Sequence, residues 1–174
     1  MKRNPLALVI VAFVAALMLY IGYHGARRNG PSSHLTQSSL APDFSLESLD
    51  GKTLRLSDLR GKAVLLNFWA TWCGPCRQEM PQLDQLYTHF QSQGLVILSI
   101  SDEDAFKVGS FIAPTGYHPI VLLDPDGIVH KQFHIEGIPR TFVFNREGKL
   151  VAEAIDQRTM RQFLLMLSKT DLHP

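Results

Sequence analysis

The chain's only two cysteines, Cys73 and Cys76, stand three residues apart where a short apolar run gives way to a helical pattern. Residues 63–68 (AVLLNF) are apolar almost throughout, as a central strand buried on both faces requires. After Cys73, the apolar residues Met80, Leu83, Leu86, Tyr87 and Phe90 recur at helical spacing. Pro75 suits a first helical turn, Pro81 predicts a kink, and Gly94 marks the end. With no third cysteine, a disulfide framework is excluded, and any disulfide within the monomer joins Cys73 to Cys76.

The rest of the soluble part alternates strand and helix signals. Residues 43–46 and 53–56 alternate apolar and polar around Asp50-Gly51 and predict an N-terminal hairpin. Residues 95–100 (LVILSI) form a second buried strand, 104–113 a helix closed by Pro114 and Gly116, and 120–123 a third strand. A short helix over 128–133 precedes a hairpin of 141–145 and 150–153, and an amphipathic helix over 159–168 ends the pattern. The order predicts an α/β fold: a mixed central sheet with helices on both faces, an N-terminal β-hairpin and a central helix–strand insertion.

Residues 6–23 (LALVIVAFVAALMLYIGY) carry no charge. Eighteen residues span roughly 27 Å as a helix, close to the hydrocarbon thickness of a bilayer. Lys2 and Arg3 precede the stretch, and Tyr20 and Tyr23 sit at an interfacial position. The reading is a single transmembrane anchor within residues 1–28, with a cleaved signal segment as the rival; no clear small-x-small cleavage site follows. Residues 29–42, rich in Ser, Pro and Gly, read as a flexible tether, and 43–174 as one domain.

The chain has 17 basic and 16 acidic residues, and four of the basic ones (Lys2, Arg3, Arg27, Arg28) lie in the first thirty residues, which hold no acid. The remainder is mildly acidic and carries no electrostatic footprint for nucleic acid. A composition 45% hydrophobic and 19% charged excludes wholesale disorder.

A Cys-Gly-Pro-Cys turn at a strand–helix junction has a chemical consequence. The first cysteine meets the free N–H groups and the positive dipole end of the helix, which favour its thiolate and make Cys73 the nucleophile. Cys76, within disulfide reach, can resolve a mixed disulfide. Gly74 and Pro75 allow and fix the tight turn. A closed zinc site needs four ligands, and no second cysteine pair exists; only His130 and His134 share a metal-compatible helical spacing. The expectation is no metal and no cofactor beyond the redox-active disulfide itself.

Phe68-Trp69-Ala70-Thr71-Trp72-Cys73-Gly74-Pro75-Cys76 resembles the active-site signature of thioredoxin. Ala41-Pro42-Asp43-Phe44, Asp50-Gly51-Lys52, Leu59-Arg60-Gly61-Lys62, the insertion between Ser101 and Leu123, and Gly137-Ile138-Pro139 widen the likeness. They resemble the membrane-anchored thioredoxin-like proteins of the TlpA/ResA/CcmG type. The resemblance covers about residues 41–168. It implies that Cys73 attacks a substrate disulfide, that Cys76 resolves, and that Pro139 is a cis-proline facing the pair. Ile138 would offer its backbone to an extended substrate. Trp72, Gly74 and Pro75 complete the expected substrate contacts, with Trp72 an exposed lid and Trp69 packing.

Two departures matter. Asn67 fills the slot of thioredoxin's buried Asp and cannot exchange a proton at physiological pH. Glu79, one helical turn after Cys76, is the replacement that the ResA-type resemblance implies, acting as a general base. Second, residues 98–102 (LSISD) lack the lysine that many thioredoxins carry there.

The CGPC sequence favours the reducing end of the family: thioredoxin lies near about −270 mV and the oxidant DsbA near about −120 mV. The resemblance implies an extracytoplasmic reductant of protein disulfides at the bacterial cytoplasmic membrane. Its soluble domain would lie in the periplasm or extracytoplasmic space. Its electrons would come from a membrane thiol transporter of the DsbD/CcdA type. Clients of such proteins are apocytochrome c, in cytochrome c biogenesis, or copper-site proteins. The alternatives are a disulfide oxidase or isomerase and a copper-delivery protein of the Sco type. A peroxiredoxin-like peroxidase fits poorly, because Ala70 stands where that chemistry uses Thr.

Overall fold

The structure, a computed structural model, describes residues 14–16, 18 and 38–172. Residues 14–16 and 18 are helical; the rest of the expected anchor over 6–23, and the tether before residue 38, lie outside the described residues. Among the described residues no helix is long and apolar enough to cross a membrane.

Seven strands form one sheet. They are β1 (Ser45–Ser48), β2 (Thr53–Arg55), β3 (Ala63–Phe68), β4 (Leu95–Ser101), β5 (Ile120–Leu123), β6 (Arg140–Phe144) and β7 (Leu150–Ile155). Across the sheet the order is β2-β1-β5-β4-β3-β6-β7. β3, β4 and β5 pair in parallel, and the flanking pairs are antiparallel. Among the described residues from 38 onward, the helices are α1 (Gly74–Phe90), α2 (Ala105–Ile112), α3 (Ile128–Gln132) and α4 (Met160–Leu167). A 3₁₀ turn over Leu56–Leu59 follows the hairpin, and another over Gln91–Gln93 carries the end of α1 to Gly94, which adopts a left-handed φ of 93°.

The central strand shows how the sequence divides the core. Successive side chains of β3 point to opposite faces. Val64, Leu66 and Phe68 join Phe44, Leu56, Val129, Phe133 and Phe142 on one face. Ala63 and Leu65 meet Leu83, Leu86 and Phe90 of α1 and Phe163 and Leu167 of α4 on the other. By the same alternation Asn67, fully buried, points to the α1 face. The stripe of α1 turned inward is Cys76, Glu79, Met80, Leu83, Leu86 and Phe90, so a carboxylate lies within the apolar stripe. The helix runs unbroken through Pro81.

Residues 38–42, read from composition as the end of a tether, are docked on β7. Ser38 N–H donates to the Leu150 carbonyl at 2.8 Å, Leu40 bridges Lys149, and Ala41 is buried in the core. Backbone pairing to a strand edge needs no particular side chain, so composition cannot show it.

Candidate active site

β3, a central strand, ends at Phe68, and residues 69–73 carry the chain into α1. Trp69 is buried and packs on Phe111 at 5.6 Å between ring centroids, whereas Trp72 is 68% exposed. Glu103 holds the intervening loop. Its carboxylate accepts the Thr71 N–H at 2.6 Å and the Thr71 hydroxyl at 2.9 Å, and it is paired with Lys107. Neither Glu103 nor the loop contact was legible in the sequence; the run Asp102-Glu103-Asp104 was the only signal.

Cys73 is the N-cap of α1, and its Sγ accepts the Cys76 N–H at 3.2 Å. A helix N-terminus thus donates directly to the sulfur that would carry the charge. Cys73 and Cys76 are joined in a disulfide with Cα atoms 5.3 Å apart. Cys73 is 4% exposed and Cys76 fully buried, so an incoming group meets Cys73 first. Pro75 occupies the first helical turn. The Ile138–Pro139 peptide bond is cis, as the resemblance implied.

Beneath Cys76 lies a polar group set within the apolar core. Glu79 is fully buried. Its Oε1 accepts Asn67 Nδ2 at 2.7 Å, and its Oε2 accepts the backbone N–H of Arg158 at 3.1 Å. Asn67 also donates to Thr141 Oγ1 at 3.3 Å, its register partner on β6. Burial pushes the Glu79 carboxyl up to about 7, with the two donors and the Arg158 charge opposing. The group therefore changes protonation near neutral pH. Ser99, at the place where the sequence lacks a lysine, hydrogen-bonds instead to the Tyr117 hydroxyl at 2.8 Å. Burial raises the Tyr117 hydroxyl well above its ordinary value, with Asp84 and Glu79 adding to the shift and the Ser99 hydrogen bond opposing it.

His130 and His134, the pair with metal-compatible spacing, are engaged differently. His130 Nδ1 meets Asp124 Oδ2 at 2.7 Å. His134 adopts a left-handed φ of 52° just beyond α3. Among the described residues no three His, Cys, Asp or Glu side chains are placed to share a metal ion.

Three comparisons bear on what this arrangement is. A model of the AhpC/TSA family matches residues 38–153. The thiol-disulfide oxidoreductase ResA of Bacillus subtilis is 38% identical over 154 residues, covering 87% of this chain and 86% of that protein. The protein of the same name from Geobacillus thermodenitrificans is 40% identical over 150 residues, covering 86% and 85%. Among solved structures, a Chlorobium tepidum protein described as a putative thiol:disulfide interchange protein DsbE superposes with a TM-score of 0.70. It is 30% identical, over 76% of this chain and 99% of that one. A helix-capping Cys-Gly-Pro-Cys disulfide in a thioredoxin-like sheet, matched along most of the chain, places this protein in the AhpC/TSA family as a thiol-disulfide oxidoreductase of the ResA/DsbE type.

Proposed function

We propose that the protein is a membrane-anchored, extracytoplasmic reductant of protein disulfides, with residues 6–23 as its single transmembrane helix. The observation that carries the reading is the Cys73–Cys76 pair at the N-cap of α1, with the buried Glu79 carboxyl one turn beyond Cys76.

In the dithiol form the Cys73 thiolate attacks one sulfur of a client disulfide. A mixed disulfide forms, and the client's other sulfur leaves as a thiolate. Glu79 then takes the Cys76 proton, and the Cys76 thiolate attacks Cys73 Sγ. The client's first sulfur departs with the remaining electron pair, so two electrons pass and the Cys73–Cys76 disulfide closes. Asn67 and the Arg158 N–H hold the carboxyl in place through both protonation states. Trp72, Gly74 and Pro75 on one side, with Ile138 and Pro139 on the other, form the client contact; the backbone at Ile138 is the edge for an extended peptide.

Regeneration needs a membrane thiol transporter of the DsbD/CcdA type. The clients favoured by the ResA-type likeness are oxidised apocytochrome c and copper-site proteins. The test is the equilibrium redox potential of the Cys73–Cys76 pair in the full-length protein, against glutathione and dithiothreitol buffers. A value near thioredoxin's, about −270 mV, supports the reductant; a value near about −120 mV reverses the electron flow and makes disulfide formation or isomerisation the function.

A further inference from the structure

Next to the cysteine pair lies a cavity of about 390 Å³. Its apolar walls are Trp72, which precedes Cys73, Ile135, and Ile138, which precedes the cis-proline. Its polar lining is Asp102, Glu136 and His130. Among the described residues neither Asp102 nor Glu136 forms an ion pair.

His130 is held by a buried carboxylate. Asp124 Oδ1 accepts the N–H groups of Ile128 at 2.9 Å and Val129 at 3.2 Å, and Oδ2 accepts the His130 N–H at 2.9 Å and meets Nδ1 at 2.7 Å. The ring stands edge-on to Phe68, with centroids 5.0 Å apart. Asp124 thus engages Nδ1 and fixes the ring at the cavity wall. The cavity thus sets the carboxylates of Asp102 and Glu136, with the His130 ring, beside an indole and two isoleucines.

We propose that this cavity is a specificity subsite for a cationic side chain, Arg or Lys, adjacent to the client cysteine under attack. The assignment rests on the reading of the protein as a reductant of protein disulfides. The aliphatic stem of such a side chain packs along Ile135 and Ile138. Its cationic head lies against the face of Trp72 and donates to Asp102 and Glu136. A client glutamate at the same place meets the carboxylates of Asp102 and Glu136, which disfavour it.

The test uses the full-length protein, reduced beforehand, and three peptides carrying one cysteine in a mixed disulfide with nitrothiobenzoate. They differ only in the residue beside the cysteine: Arg, Ala or Glu. In each reaction the protein dithiol is oxidised to the Cys73–Cys76 disulfide, and the peptide disulfide is reduced to a peptide thiol and the coloured thiolate. At low ionic strength the Arg peptide should react about tenfold faster than the Glu peptide, with Ala between and the gap narrowing in salt. In the doubly substituted Asp102→Asn, Glu136→Gln protein the Arg-to-Glu ratio should fall below about threefold. Equal rates for Arg and Glu peptides in the unmodified protein, or a ratio unchanged in the double variant, overturn the subsite and leave the reductant intact. Failure to reduce any of the three peptides overturns the reductant itself, and the subsite with it.

Discussion

Glu79 is the residue on which the proposed proton transfer turns, and its environment yields two measurable consequences. Its carboxyl sits at about 7 against an ordinary 4.5, chiefly because burial disfavours its charge. With the carboxylate form as the base, the resolution step should speed up as pH rises through about 7. Glu79→Gln should slow that step at pH 8 by at least about tenfold and flatten the profile, as followed by single-turnover release from a mixed disulfide. An unchanged profile would return Glu79 to a purely structural role. The same shift affects folding. A carboxyl raised in the folded state contributes stability that is full below pH 4.5 and is lost as pH rises through 7. The expected loss is about 3 kcal/mol, and Glu79→Gln should remove most of it. Urea unfolding of the oxidised protein at pH 4.5 and pH 8 measures both. The spacing from Cys76 made Glu79 legible as a candidate. Its burial and its partners were not, because Asn67 and Arg158 lie 12 and 79 residues away in the chain.

At the scale of elements, each strand and helix read from residue 43 onward exists, with ends that shift by up to three residues; the largest shift is at the end of α1, where residues 91–93 form a 3₁₀ turn. Long runs with one period, such as α1 and β4, define themselves. The Leu56–Leu59 turn does not, because four residues are too few to display a period and the pattern merges with the strand before it. α3 is the element whose stability hangs on a single side chain. It has only five residues, its N-cap is Gly127, and no side chain of that cap can receive its first N–H groups. Asp124, three residues earlier and buried, receives those of Ile128, Val129 and His130 instead. Asp124→Ala leaves these donors without that acceptor and should cost about 2–4 kcal/mol in urea unfolding, with Asp124→Asn recovering part of it. A loss below about 1 kcal/mol would show that the helix is held by Val129 and Phe133 in the core rather than by its cap. In the sequence Asp124 belonged to an Asp-Pro-Asp-Gly turn, and turn chemistry alone does not distinguish a solvated carboxylate from a buried one.

Over the whole molecule, the likeness to ResA-type proteins runs far beyond the motif, and the division of labour between the cysteines should follow it. Cys73→Ser should abolish turnover, whereas Cys76→Ser should accumulate mixed disulfides with clients, visible as reductant-sensitive adducts on gels. Full activity of either variant would remove the two-step exchange. The site's electron-carrying part is contiguous in the chain and so was legible. Its proton-handling part is assembled from β3, α1 and the segment before α4, and only folding brings these together. Arg158 meets Glu79 through its main-chain N–H rather than through its guanidinium. Every amino acid but one supplies that group, so this hydrogen bond persists whatever side chain stands here, while the Arg158 charge adds a second, side-chain effect that holds the carboxyl down. Arg158→Ala preserves the donor, and proline alone abolishes it. One hydrogen bond of the site is thus encoded in where the chain passes and not in which letter it carries.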